Sequence, residues 1–257
     1  MPYTHAIVRR PPRSLGRGLT TQNLGMPDID LAVEQHTAYV ATLKKLGLDV
    51  TILDPEEDYP DSVFVEDVAI LYGGVAIITR PGAPSRSGEV ESMREVLRAR
   101  MPIVELGDSE SVELDGGDVL FCGKRVLVGL GLRTNEEGLR CLRYRLREID
   151  PELSVEGVPF SEVLHLKSGI TAVKPDVLVY NPICQVDAHF PFARVVPLPP
   201  EQGYAANVLP INDAILVIKG YPAVVGVAHE YYQRVIELDM SEFRKMDGSL
   251  TCLSLLW

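Results

Sequence analysis

A thiol, an imidazole and a set of carboxylates are what nucleophilic chemistry on a cationic substrate needs. This chain holds one candidate for each role. Cys252 lies in the stretch 247–255, Asp-Gly-Ser-Leu-Thr-Cys-Leu-Ser-Leu. There Asp247-Gly248 is turn chemistry, and Leu250, Leu253, Leu255 and Leu256 predict a short buried strand that brings the thiol to a loop edge. Such a thiol can attack carbon when an imidazole handles the protons, although a free cysteine is as readily a small buried hydrophobe. His165, between Leu164 and Leu166, reads as the proton carrier or as a histidine satisfied in a strand core. No second His or Cys follows it at ligand spacing, so no metal site is predicted. Asp61, Glu66 and Asp67 put three carboxylates within one short segment, and Asp115-Gly-Gly-Asp118 adds two more. A guanidinium pairs with such groups through charge-assisted hydrogen bonds. Arg86 and Arg133 sit in loops where either could take a substrate carboxylate.

Composition narrows the partners. Among 257 residues, 25 Lys and Arg face 36 Asp and Glu, a formal charge of -11. That charge repels phosphate backbones and excludes nucleic acid as the natural partner, while it suits a small cation. Cys122, Cys141, Cys184 and Cys252 form no C-x-x-C pair, which predicts neither structural zinc nor a disulfide framework and points to a reducing, cytoplasmic setting. No apolar stretch approaches the roughly 20 residues that span a bilayer, so no membrane association is expected. Gly129-Leu-Gly131 is followed by Thr134 where the dinucleotide fingerprint needs a third glycine, and no nucleotide cofactor is predicted.

The elements that must position these residues repeat. A strand over 6–8, a helix over 30–46 ending at Gly47 and a strand over 49–53 come first. Hairpin strands are predicted over 68–72 and 75–78 about Gly73-Gly74, then a helix over 89–98 and a strand over 103–106. Strands over 119–122 and 125–128 with a helix over 135–148 renew the order, as do strands over 170–173 and 177–180, and over 208–211 and 214–218. For 185–192 the only element suggested is a helix. The hairpin turns recur at about 40 to 50 residues, the mark of stacked supersecondary units. Each unit reads strand, turn, strand, helix, strand, and a fifth is completed if the two chain ends close a ring. Segments just ahead of the hairpins, 61–67, 115–118, 165–168, 204–207 and 247–252, then converge on the axis and bring the thiol, the imidazole and the acids together.

At these residues a family resemblance becomes specific. Asp61-Ser-Val-Phe-Val-Glu-Asp67, Ile78-Thr-Arg-Pro-Gly82, Leu114-Asp-Gly-Gly-Asp118, Arg133-Thr-Asn135, Leu164-His-Leu-Lys-Ser168, Ala205-Ala-Asn207 and 247–252, in that order, resemble the dimethylarginine dimethylaminohydrolase family over nearly the whole chain. The resemblance implies an α/β five-bladed propeller, the pentein fold, as one domain over 1–257. It also implies hydrolysis of Nω-methylated arginines to citrulline and a methylamine without metal or organic cofactor. Cys252 then matches the nucleophile, His165 the general acid and base, and Asp115 the acid contacting the guanidinium. Glu66 and Asp67 match further acidic contacts, while Asp61, Arg86 and Arg133 hold the ammonium and carboxylate. Leu19 matches the lid loop, Met246 a backbone contact, and Asp247 a further contact beside Cys252. An arginine deiminase of the same fold, or a catalytically silent ring binding a cationic amino acid, is the alternative. Exposed sheet edges would allow a homodimer.

Overall fold

The computed structural model describes residues 2–107, 109–186 and 194–257. Strand β1 (His5–Arg9) leads through helix α1 (Ile29–Lys45) to β2 (Asp49–Leu53), parallel to it. Strands β3 (Ala69–Tyr72) and β4 (Val75–Ile78) form an antiparallel hairpin, and α2 (Glu89–Arg98) returns the chain as β5 (Ile103–Glu105), parallel to β4. The same plan is followed by β6 (Val119–Cys122), β7 (Arg125–Leu130), α3 (Glu136–Ile149) and β8 (Ser154–Ser161). A one-turn helix, α4 (Leu166–Gly169), opens the next hairpin, β9 (Ile170–Lys174) and β10 (Val177–Tyr180). Next, β11 (Gln185–Val186) crosses to the edge of β8, and β12 (Arg194–Pro197) lies parallel to β10. Then come β13 (Leu209–Ile211), β14 (Ala214–Ile218), α5 (Pro222–His229) and β15 (Arg234–Leu238), followed by α6 (Ser241–Arg244). Last, β16 (Leu255–Leu256) pairs antiparallel with β1 and completes the unit split between the chain ends.

The result is the five-bladed α/β propeller. Inner strands from all five sheets line one axial cavity of about 750 Å³. Turn chemistry sets the registers: Gly73 and Gly74 have φ of +59° and +77°, the left-handed pair that a two-residue hairpin turn requires. Tyr72 therefore pairs with Val75. Helix α1 is capped by Asp28, which accepts the amides of Asp30 and Leu31, and it ends ahead of Gly47 at φ +87°. Its buried face carries Ala32, Tyr39, Val40 and Leu43 into the largest core cluster. Among the described residues no helix is long and apolar enough to cross a membrane.

Three expectations change. Residues 185 and 186 form a strand, because their backbone finds open partners in Ser161 and Phe160; the rest of the helix suggested over 185–192 lies outside the described residues. Residues 154–161, 222–229 and 234–238 are regular elements that periodicity did not reveal. Cys252 sits in a tight 3-10 turn, Thr251–Leu253, and only Leu255 and Leu256 are strand. Side chains take the place of ladder partners there: Asn207 Oδ1 accepts the Thr251 amide at 3.0 Å, and Tyr39 Oη donates to the Leu250 carbonyl at 3.0 Å.

Candidate active site

Each hairpin is entered through a short helical segment, and these five segments make the site. They are Val65–Val68, Gly116–Asp118, α4, Pro200–Ala206 and Thr251–Leu253. Hydrogen bonds join them in a closed circuit around the axis. The Gly117 amide donates to Asp67 Oδ1 at 2.9 Å, and the Leu166 amide to Asp118 Oδ1 at 2.8 Å. Asn207 Nδ2 donates to the Lys167 carbonyl at 3.0 Å while its Oδ1 takes the Thr251 amide. Thr251 Oγ1 donates to Glu66 Oε2 at 2.9 Å and closes the ring. The Asp-Gly-Gly-Asp stretch is demanded by this crowding. A Cβ at Gly117 would stand 2.7 Å from both Asp67 Oδ1 and His165 Nδ1, and one at Gly116 2.0 Å from the Glu66 carbonyl.

Cys252 and His165 share one narrow cavity with Leu19, Asp61, Asp67, Arg86, Arg133, Met246 and Asp247. Phe64, Leu164 and Gly248 complete its wall. Space inside is only about 20 Å³, room for about one water. His165, 5% exposed, precedes α4 and turns its Nε2 to Asp115 Oδ2 at 2.9 Å. Its Nδ1 is 3.9 Å from Asp67 Oδ1. Asp115 is thus placed behind the imidazole rather than on the cavity wall, with its Oδ1 accepting the Gly82 amide at 2.9 Å. Glu66 also stands outside this cavity, on the axial side, bonded to Lys167 and Thr251.

The charges around the pair set its resting state. Burial works against a charged imidazole, but Asp67, Asp118 and Asp115 outweigh it and hold the His165 pKa up at about 9. Burial, reinforced by the carboxylates of Glu66 and Asp67, pushes the Cys252 thiol well above its ordinary value. Without a bound cation, neutral thiol therefore faces imidazolium. Asp67 is buried, yet His165 and Arg86 hold its pKa down at about 2. For Asp118 burial prevails over His165 and the Thr134 hydrogen bond and lifts it to about 6. Asp67, Asp115 and His165 offer ligand atoms within 4.8 Å of one another. They also bond to each other or to Arg86 and the Gly117 amide, so they already constitute a proton-holding cluster.

The two arginines differ. Arg86 is buried with its guanidinium bonded to Asp67, to both oxygens of Glu89, and to the carbonyls of Asp61 and Phe64. Among the described residues Arg133 has one ion pair, a long one of 3.8 Å to Asp115 Oδ2, and it lines the cavity. Over the mouth lies the loop that includes Leu19. The Leu19 amide donates to both oxygens of Asp61 at 3.1 Å. Asp247, at φ +57°, accepts the Thr20 and Thr21 hydroxyls and the Gln22 side-chain amide. Its carboxylate holds this loop in place. Sequence reading missed Glu89, Lys167 and Thr251; a Thr next to the cysteine and a Lys two residues beyond the histidine carried no spacing rule that could have flagged them.

Known proteins resemble this chain over nearly its whole length. Residues 26–163 match the family model described as N,N dimethylarginine dimethylhydrolase, eukaryotic. The N(G),N(G)-dimethylarginine dimethylaminohydrolase of Pseudomonas aeruginosa is 38% identical over 257 residues, covering 98% of this chain and 99% of that one. The enzyme of the same name from Streptomyces coelicolor is 40% identical over 255 residues, with 99% and 97% covered. In structure, a cysteine-to-serine mutant of the Pseudomonas aeruginosa protein complexed with citrulline superposes with a TM-score of 0.92 at 36% identity over 100% of both chains. The N-terminal domain of the cyanobacterial arginine dihydrolase ArgZ shares the fold at a TM-score of 0.86 and 19% identity, covering 100% of this chain and 97% of that one.

Proposed function

The chain belongs to the dimethylarginine dimethylaminohydrolase family, and from that premise we propose that it hydrolyses Nω-methylated arginines to citrulline and dimethylamine or methylamine. One observation carries the assignment of roles: Cys252 and His165 share a cavity that is ringed by carboxylates and has Arg133 in its wall. Because Leu19 occupies Asp61 and the space is small, the lid lifts to admit substrate. The substrate's α-ammonium then replaces the Leu19 amide on Asp61, and Arg133 receives the α-carboxylate.

The guanidinium enters between Cys252 and the acids. Its charge offsets Asp67 and Glu66, the carboxylates that keep the thiol protonated, so on binding the thiol gives up its proton to water. The thiolate attacks the guanidinium carbon. His165, whose Nε2 stays on Asp115, gives the Nδ1 proton to the departing amine as the C–N bond breaks. An S-alkylthiouronium on Cys252 remains. Neutral His165 next takes a proton from water, the oxygen adds to the same carbon, and C–S cleavage releases citrulline while the remaining hydroxyl proton passes to the leaving sulfur and restores the thiol.

Citrulline release from asymmetric dimethylarginine, monomethylarginine and arginine, measured with the wild type and Cys252→Ser, tests this. Turnover of the methylated substrates that is abolished in Cys252→Ser, with binding retained, is the expected result. Turnover of arginine alone would make the protein a deiminase, and tight binding without turnover would end the enzymatic reading.

A further inference from the structure

Lys167 takes no part in the steps above, yet it stands on the ring of helical segments and is bonded on both sides of it. Its Nζ is 2.6 Å from Glu66 Oε1, and each of the two side chains is 12% exposed. The other Glu66 oxygen takes the hydroxyl of Thr251, the residue before Cys252. Asn207 ties the arrangement shut by donating to both the Lys167 carbonyl and Thr251 Oγ1 at 3.0 Å. Glu66, Lys167 and Thr251 line the end of the axial cavity of about 750 Å³. Beyond them stands Cys252, whose thiol feels the charges of both Glu66 and Lys167.

We infer that Lys167 is a positioning residue for the hydrolysis: paired with Glu66 at the partition between the axial cavity and Cys252, it holds that carboxylate as a fixed negative charge beneath the bound guanidinium. The assignment rests on the proposed hydrolase reading. Groups facing Glu66 are Lys167 from α4, Asp67 from the same short helical segment, Cys252 from the last one and Tyr39 from α1. Burial raises the Glu66 pKa, Asp67 adds to that, and Lys167 is the cation that opposes them. Removing one partner of a buried pair leaves an uncompensated charge, which a carboxylate resolves by taking a proton. Without Lys167 the guanidinium therefore meets a neutral acid below the raised pKa and a carboxylate only above it.

The pH profile of kcat/KM for asymmetric dimethylarginine, measured for the wild type, Lys167→Met, Lys167→Arg, Glu66→Gln and the Lys167→Met/Glu66→Gln double variant, decides the matter. Lys167→Met should lose at least about tenfold at pH 7 and recover as pH rises. Lys167→Arg should keep the wild-type profile, and the double variant should be no worse than Glu66→Gln. A folded Lys167→Met with the wild-type profile overturns the inference, as does a loss equal at every pH. If Lys167→Met does not fold, Glu66→Gln decides: activity within about twofold of wild type at pH 7 overturns it, and a larger loss with Lys167→Arg unaffected upholds it. A wild type that makes no citrulline at any pH takes the hydrolase reading down with it, whereas wild-type turnover beside an unaltered variant profile removes the Lys167 role alone.

Discussion

Two arginines in one wall, Arg86 and Arg133, look interchangeable in sequence and are opposites in place. Arg86 is locked among Asp67, Glu89 and two carbonyls, so Arg86→Ala strands two buried carboxylates and should destabilise the fold by about 3–5 kcal/mol. Arg133, whose one ion pair among the described residues is the long contact to Asp115, should be dispensable for stability. Arg133→Ala should instead raise KM for substrates bearing an α-carboxylate by about tenfold or more. Thermal melts beside KM values for the two variants check this. A melting temperature lowered equally in both would refute the division of labour.

At the scale of elements, the candidate catalytic groups are carried on or beside short helical segments, one of which, Gly116–Asp118, fits only because it lacks side chains at its two glycines. Gly117 is such a point. In Gly117→Ala the new Cβ would press against the His165 ring, whose Cγ is 2.8 Å from that position, and against Asp67. A displacement near 1 Å at a reacting group costs about a hundredfold, so kcat should fall by that order; kcat within about threefold of wild type would show that His165 tolerates the shift. Sequence reached this scale well. Hairpin turns such as Gly73-Gly74 announced the repeat through local chemistry, and the repeat drew Cys252, His165 and the acids toward one axis. What it did not reach depends on partners distant in the chain. The 3-10 turn at Cys252 exists because Asn207 and Tyr39 hold its backbone, and Asp115 stands behind His165 because Gly82 and the imidazole claim its two oxygens. Outer elements such as β15 carry little periodicity, since Arg234 and Glu237 are exposed and Val235 and Ile236 only half-buried.

For the whole molecule, the charge cluster on the axis ties stability to pH. His165 has its pKa raised to about 9 from 6.5, so its contribution is full below about 6.5 and is lost as pH rises through about 9. Asp67, lowered to about 2 from 3.8, contributes above about 3.8 and fails as pH falls through about 2. Melting temperature against pH should therefore decline between about 6.5 and 9 in the wild type and be flatter over that window in His165→Gln. Parallel curves for the two proteins would count against the cluster. The pairing of β16 with β1 has a further consequence, one of timing. It joins the two ends of the chain, the contact with the largest loop to close and hence among the slowest to form, and Cys252 lies immediately ahead of it. The thiol acquires its neighbours only when the ring shuts, so a refolding chain stays inert until its final step, and citrulline formation should return no earlier than the slowest phase of refolding.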